Sequence, residues 1–374
     1  MESKIGIFTS HPIQYQVPFF KYMQESGKIH PVVYFQNNTG VDRPVYDPEF
    51  GKEIKWDIPL LAGYESYFLA ESPSLYSIFK KNQFDAVIIY GWNSILNFKV
   101  IFFAKLFRVK VLLRAESPLN QELLKGNSLK QIFRKLFLKF LFKFIDRFLY
   151  IGIENRKFYE YYGVPENKLV FVPYAVDNDR FFAQASELRP NRRASREELG
   201  IKDGDFTVLF VGKLIDKKRP MDLLMAYEML ARENKSLIFV GDGNLRESLE
   251  KYVLDKKILG VHFVGFKNQT EIGKYYSMAD VFILPSGIGE TWGLVVNEAM
   301  CFGLPVIVSD IVGCGPDLVK DGESGYIYQC GKPTELSDKL KLVADNSEPR
   351  AASAQTVRRY GYKEDVEAIW ATIR

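Results

Sequence analysis

Short, uninterrupted apolar runs recur along this chain, separated by segments with helical patterning. In the first half they read KIGIFTS, HPVVYF, FDAVIIYG, VKVLLRA, RFLYIG and LVFVPY. In the second they read FTVLFVG, SLIFVG, VHFVG, DVFILPS and PVIVSD. A strand that is apolar at every position, rather than at alternate ones, has both faces covered. Strands of that kind separated by helices give parallel sheets with helices on both faces. The expected fold is therefore α/β: two doubly wound, Rossmann-like domains facing across a cleft.

A length of 374 residues fits two such domains, and an apolar fraction of 47% supplies both cores. The periodicity lapses after Tyr174, through a polar stretch that ends where a new strand begins at Phe206. Domains are expected at 1–174 and 190–356. The stretch 360–374 sets Val366, Ile369, Trp370 and Ile373 on one side of a helix, expected to pack back on the first domain. A net charge of +4 is too small to argue for nucleic acid as a partner. Cys301, Cys314 and Cys330 have no metal-type spacing, and an odd count argues against a disulfide framework. A reducing cytoplasm is the expected compartment. The opening MESKIGIFTSHP lacks the apolar core of a signal peptide, and no run is long and charge-free enough to span a membrane.

Ligands of open α/β sheets bind beyond the carboxyl ends of the strands. In the second half the loops VGKLIDKKRP, VGDGNLRESL, VGFKNQTE and PSGIGETWGL occupy that edge, each with a glycine at a strand end: Gly212, Gly241, Gly265 and Gly287. Glycine lets a ligand approach the backbone closely. In the stretch ETWGLVVNE, Glu290 and Glu298 bracket Trp292, Gly293 and Leu294. A helix is expected from near Trp292 to Phe302, stopped by Gly303. Its N-terminus would offer free N–H groups to a phosphate. Glu290 stands just before it, and Glu298 about 9–12 Å further along the axis. A carboxylate accepts two hydrogen bonds from a vicinal diol. The pattern suits a ligand with a central diphosphate and a sugar on each side. Lys213 and Lys218 are placed to complement the phosphates, with Arg219 adjacent. The plainer alternatives are a solvated helix start for Lys217, Lys218 and Arg219, a capping role for Glu290 and an exposed helix position for Glu298.

These stretches, together with YYSMADVFILPS and LPVIVSDIVGCGPDLVKDGESGYIY, resemble the retaining glycosyltransferases of family four, which have the two-domain GT-B fold. The resemblance covers nearly all of residues 206–330. It implies that Glu290 contacts the donor sugar and Glu298 the nucleotide ribose. The backbone around Trp292, Gly293 and Leu294 would hold sugar and phosphate. Lys213 and Lys218 would neutralise the diphosphate, with Gly212, Gly241, Gly265, Phe266 and Arg219 completing the donor site. Where this chain has Lys213, family members more often have arginine. The implied chemistry needs no metal and no cofactor: the departing phosphate itself takes the acceptor proton while Glu290, Lys213 and Lys218 steer charge. Closure of the domains over the donor would exclude water. Asp177 and Asp179 imitate a metal-binding pair, but resemble a family segment that binds none.

In the first half, SHPIQYQVPFF and the segment Asp47–Leu69 resemble a bacterial subgroup with a His-Pro, Gln-Tyr loop. His11, Gln14 and Tyr15 are expected on the acceptor side. Many family members carry a histidine where this chain reads LLRAESP, so Arg114 and Glu116 stand in its place without inheriting its role. The resemblance implies transfer from a nucleotide-diphosphate sugar to a glycan or lipid-linked acceptor, in bacterial surface polysaccharide synthesis. Two rival readings are a nucleotide-sugar 2-epimerase of the same fold and a non-catalytic sugar-nucleotide-binding partner. A dehydrogenase is disfavoured, because the first loop has no Gly-x-Gly-x-x-Gly. A two-carboxylate hydrolase is disfavoured because Glu290 and Glu298 come from one helix end.

Residues 130–147 carry Lys135, Lys139 and Lys143 on one helical face, with Phe133, Phe137, Phe140 and Phe144 roughly opposite. One reading is a solvated lysine face over phenylalanines packed on the sheet. The other rests the lysines on an anionic membrane surface, which would place a cytoplasmic enzyme at the inner face of the cell membrane.

Overall fold

The apolar runs become the strands. The structure, a computed structural model, describes residues 2–41, 45–47, 52–54, 56–126, 128–345 and 350–374. β1 (Ser3–Thr9) and β2 (Ile29–Phe35) come first, followed by the short pair β3 (Val45–Asp47) and β4 (Lys52–Ile54). Next come β5 (Glu65–Phe68), β6 (Ala86–Tyr90), β7 (Lys110–Arg114), β8 (Arg147–Tyr150) and β9 (Leu169–Phe171). Apart from β3 and β4, which pair with each other, these form a seven-stranded sheet in the order β5-β2-β1-β6-β7-β8-β9. Its pairings are parallel.

A second sheet holds β10 (Phe206–Val211), β11 (Lys235–Val240), β12 (Val261–Gly265), β13 (Val281–Leu284), β14 (Val306–Ser309) and β15 (Gly325–Tyr328). Their order is β12-β11-β10-β13-β14-β15, again parallel. In each sheet the winding reverses beside the first strand, between β1 and β6 and between β10 and β13. Both are doubly wound, Rossmann-like sheets. Successive residues of a strand feed opposite faces. Ile5, Ile7 and Ile88 pack against Phe19, Phe20, Val366 and Ile369. Their neighbours Phe8, Val87 and Ile89 pack against Phe79, Val100, Leu138 and Phe158. That is why these runs are apolar throughout.

The chain divides into two units: Met1–Val45 with Ile58–Val176 and Gly361–Arg374, and Tyr46–Asp57 with Asp177–Tyr360. The C-terminal helix Tyr362–Ile373 belongs to the first, with the Tyr362 ring 5.4 Å from that of Phe19. Three sequence expectations change. Tyr46–Asp57 belongs to the second unit, although it lies within 1–174. Positions 48–51 and 55 of the segment Asp47–Leu69 fall outside the described residues. The polar stretch after Tyr174, where the periodicity lapses, is not irregular chain but holds the helices Asn178–Leu188 and Arg192–Glu197. Asp177 caps the first of these, its Oδ1 accepting from Arg180 N at 3.1 Å. The third change concerns the helix Leu129–Leu141 and the turn Phe142–Phe144. Leu138, Leu141 and Phe142 are buried, whereas Phe133, Phe137, Phe140 and Phe144 are exposed. This segment has two apolar faces, and one sheet can cover only one of them.

The helix Arg192–Glu197 is held by charge. Asp280, just before β13, accepts from Arg192 Nη2 at 2.6 Å and Arg196 Nη2 at 2.7 Å. It also accepts from Thr207 N at 2.9 Å. Burial pushes its carboxyl up, but Arg192, the Thr207 N–H and Arg196 outweigh this and hold it below the ordinary value. Asp280→Asn is expected to destabilise the second unit by about 2–4 kcal/mol at pH 7, as read by urea unfolding. A lowered folded pKa gives stability that is present above the unfolded value of about 3.9 and lost as pH falls through the folded one. The gap between wild type and variant is therefore expected to narrow below about pH 4.

Candidate active site

The site expected from sequence lies along the carboxyl edge of the second sheet. β10 runs into Gly212 and Lys213, β11 into Gly241, and β12 ends at Gly265 before Phe266. Gly241 has φ 138°, and a Cβ there would sit 1.9 Å from Gly212 O. The first two loops can lie together only because this position has no side chain.

Lys218 closes a short 3₁₀ turn, Asp216–Lys218, that leads into the helix Pro220–Met229. Its ammonium donates to Glu290 Oε2, and both side chains are largely covered. Lys213 Nζ donates to Asp47 Oδ2 at 2.7 Å. Asp47 belongs to the Tyr46–Asp57 segment, which makes two further contacts with the same rim. The Trp56 and Phe266 rings stand 6.4 Å apart, and Asp57 Oδ2 accepts from Thr270 N at 3.0 Å and Thr270 Oγ1 at 2.5 Å. Arg219 takes a left-handed conformation, φ 49°, and donates from Nε to Asp222 Oδ2 at 2.6 Å. That bond turns it towards its own helix start.

The helix after β13 spans Leu294–Cys301, with Gly293 at its N-cap in the left-handed region, φ 101°. It starts two residues later than expected and ends one earlier. The loop before it is fixed by backbone: Gly313 N donates to Glu290 O at 3.2 Å and Cys314 N to Trp292 O at 3.1 Å. The Trp292 side chain is buried and donates from Nε1 to Asn297 Oδ1 at 2.9 Å. At this position the backbone is what remains to meet a ligand.

Glu298 is not an exposed helix residue: it is fully buried. Its Oε2 accepts from the Tyr276 hydroxyl at 2.7 Å, and its Oε1 meets Gln269 Nε2 at 3.4 Å. A buried carboxylate needs such donors. Tyr276 and Gln269 were missed in the sequence, as was Asp47. Nothing in linear spacing links a helix tyrosine to an acid in the next βα unit.

The residues expected on the acceptor side lie in the first unit. A cavity of about 300 Å³ opens at the carboxyl ends of β1, β6 and β7, where the winding reverses. Arg114 and Glu116 line it with Thr9, Ser10, Gln16 and Asn97; His11, Gln14 and Tyr15 do not. Arg114 is buried and donates to Val172 O at 3.1 Å and Pro173 O at 3.0 Å, with Asp365 Oδ2 3.7 Å away. The Tyr174 hydroxyl donates to Glu116. His11 Nδ1 lies 2.9 Å from Ser10 Oγ, and burial pulls its pKa below the ordinary value. Gln14 Oε1 is buried without a hydrogen-bond partner.

Residues 191–362, less than half of the chain, match the family model described as glycosyl transferases group 1. Spore coat protein SA of Bacillus subtilis is 32% identical over 178 residues, 45% of this chain and 47% of that protein. Alpha-monoglucosyldiacylglycerol synthase of Acholeplasma laidlawii is 29% identical over 188 residues, 49% of this chain and 46% of its own. The chain thus spans about half the length of the curated relatives it matches. Among solved structures, Anabaena HepE in complex with UDP and glucose is similar, with a TM-score of 0.71. It is 16% identical, with 100% of this chain and 99% of that one covered, a likeness of fold. The two Rossmann-like domains expected from the sequence are those of this GT-B architecture.

The close approach of the first two loops is open to test. Gly241→Ala is expected to lower stability by more than about 2 kcal/mol, because a backbone oxygen rather than a flexible side chain must move. Thermal unfolding of the variant beside wild type measures it.

Proposed function

We propose that the protein is a glycosyltransferase that moves a sugar, with retention, from a nucleotide-diphosphate sugar to a glycan or lipid-linked acceptor. The observation that carries this reading is the grouping of Lys213, Lys218, Glu290 and Glu298 on one sheet edge, around the start of Leu294–Cys301. The group 1 match over 191–362 supports the same class. HepE, with UDP and glucose bound, supports a nucleotide-sugar donor.

In this reading the donor exchanges partners with the protein. Its diphosphate takes Lys218 from Glu290 and Lys213 from Asp47. The freed Glu290 then accepts from hydroxyls of the donor sugar. The N–H groups at the start of Leu294–Cys301, which have no carbonyl four residues back, face the phosphates. Glu298 accepts from the ribose, in place of its long contact with Gln269. As the sugar leaves, negative charge grows on the diphosphate, where lysines and amides are already in position. The leaving phosphate oxygen takes the acceptor proton, so no protein base and no metal is required. The polar cavity in the first unit suits the acceptor, with Gln16, Asn97 and Glu116 as hydrogen-bonding groups. An acceptor carried on lipid in surface polysaccharide synthesis places the enzyme at an anionic membrane surface, with the lysines of 130–147 towards it.

A donor screen followed by a transfer assay tests this reading, and binding of no nucleotide sugar would defeat it. Glu298→Gln keeps the side-chain volume and an acceptor for Tyr276 but removes the charge. It is expected to weaken donor binding by about 1.5 kcal/mol, roughly tenfold, in calorimetric titration. Replacing Lys213 and Lys218 by Ala is expected to lower turnover by about two orders of magnitude or more. Activity is expected to persist in chelator; loss in chelator and recovery with manganese would sink the metal-free mechanism.

A further inference from the structure

In the first unit, the helices Ile95–Leu106 and Leu129–Leu141 leave a continuous apolar face uncovered. Phe133, Leu136, Phe137 and Phe140 are exposed on one helix, and Ile95 and Phe102 on the other. The 133, 136, 137, 140 spacing is that of one helical stripe. The rings of Phe98 and Phe137 meet edge-on with centroids 5.9 Å apart, which joins the two stripes. Leu138 and Leu141 already anchor the second helix in the core, so this face is surplus to packing. A contiguous apolar surface of this extent marks an interaction site.

Charge selects the partner. Neither 95–108 nor 129–144 contains an aspartate or glutamate. At about 100° per residue, Lys143 and Lys130 border the stripe on its two sides, Lys139 lies next beyond Lys143, and Lys135 falls on the far face of the helix. Of these, Lys130, Lys139 and Lys143 are exposed. Lys135 Nζ lies 4.1 Å from the centre of the Tyr161 ring. Two copies of this chain meeting through the face would set like charges together. A protein partner would have to supply both an apolar ridge and an acidic rim. An anionic bilayer supplies apolar chains beneath a layer of phosphates, and lysine stems are long enough to reach that layer from a buried stripe.

We infer that these two helices insert their apolar face into the headgroup boundary of an anionic membrane, lying in its plane, with the bordering lysines on lipid phosphates. Among the described residues no helix is long and apolar enough to cross a membrane. The inference deepens the membrane location of the proposed function. It replaces a purely electrostatic contact of lysines with an insertion led by phenylalanine. Vesicle binding needs neither donor nor acceptor, so this inference and that reading can fail separately.

The test uses the full chain with vesicles of phosphatidylglycerol or phosphatidylcholine. Replacing Lys130, Lys139 and Lys143 by Gln is expected to weaken binding to phosphatidylglycerol about a hundredfold at low salt. That loss should shrink as salt rises. Replacing Phe133, Phe137 and Phe140 by Ser is expected to weaken binding at least as much, and at every salt concentration. A single Phe137→Trp variant keeps the stripe and reports on it: its emission should move to the blue on vesicles and be quenched by brominated lipid. Circular dichroism and donor hydrolysis should match wild type in each variant. Equal binding by wild type and the serine variant, or an unmoved Phe137→Trp emission, overturns the insertion. A wild-type dimer in sedimentation that the serine variant turns into a monomer overturns it too, in favour of an interface between copies.

Discussion

Strand order is the constraint from which the candidate site follows. Parallel strands send every C-terminal loop out along the same edge of a sheet. Because β10 lies between β11 and β13, the loop carrying Lys213 and Lys218 has the Gly241 loop on one side and the Glu290 loop on the other. Residues far apart in sequence become neighbours without any local signal joining them. The crowding this creates is relieved at Gly241, where any side chain would meet the Gly212 carbonyl.

The charges placed on that edge are only partly covered by water, and so they find each other. Lys218 holds Glu290, Lys213 holds Asp47, and Glu298 takes the Tyr276 hydroxyl. A charge withdrawn from water needs such partners, and leaving one unpaired costs several kcal/mol. The same pairing makes the site responsive in the proposed function. A diphosphate is a better partner for two lysines than two separate carboxylates, and a carboxylate released from lysine is ready for sugar hydroxyls. Substrate then gives Lys218 and Glu290 new partners, and Asp47, which is partly exposed, is left to water.

In the helix Leu129–Leu141 the same accounting runs the other way. Its apolar residues exceed what one sheet face can cover, so the tertiary structure had to choose a side. It chose Leu138 and Leu141, with Arg134 paired to buried Glu122. The phenylalanines, which by composition looked like core, were left outside. Hydrophobic pattern identifies a face that avoids water; it does not say whether protein or lipid covers it. The stretch after Tyr174 shows the converse. Its polar composition concealed two helices, because they bury only narrow strips such as Phe181 and Ala185 and rely on Arg192 and Arg196 for attachment.

Much of the architecture was legible in the chain itself. The strands β1, β2, β6 to β9 and β10 to β14 coincide with apolar runs, because a strand covered on both faces must be apolar at every position. β3, β4, β5 and β15 were not marked: VYD, KEI, ESYF and GYIY are each broken by a charged residue, serine or glycine and do not read as continuous apolar runs. The acids of ETWGLVVNE and the glycines at strand ends were equally visible, since turn geometry and helix starts depend on local residue choice. The sequence by itself determined most of the sheet strands, the two-sheet class and the side chains presented at the sheet edge. Tertiary structure alone decided that Asp47 meets Lys213, that Tyr276 and Gln269 hold Glu298, that Tyr46–Asp57 joins the second unit, and which face of Leu129–Leu141 is buried. The reason is physical. Local preferences act over a few residues, whereas partners for buried charge and the limited area of a sheet face are settled only when distant segments compete for the same place.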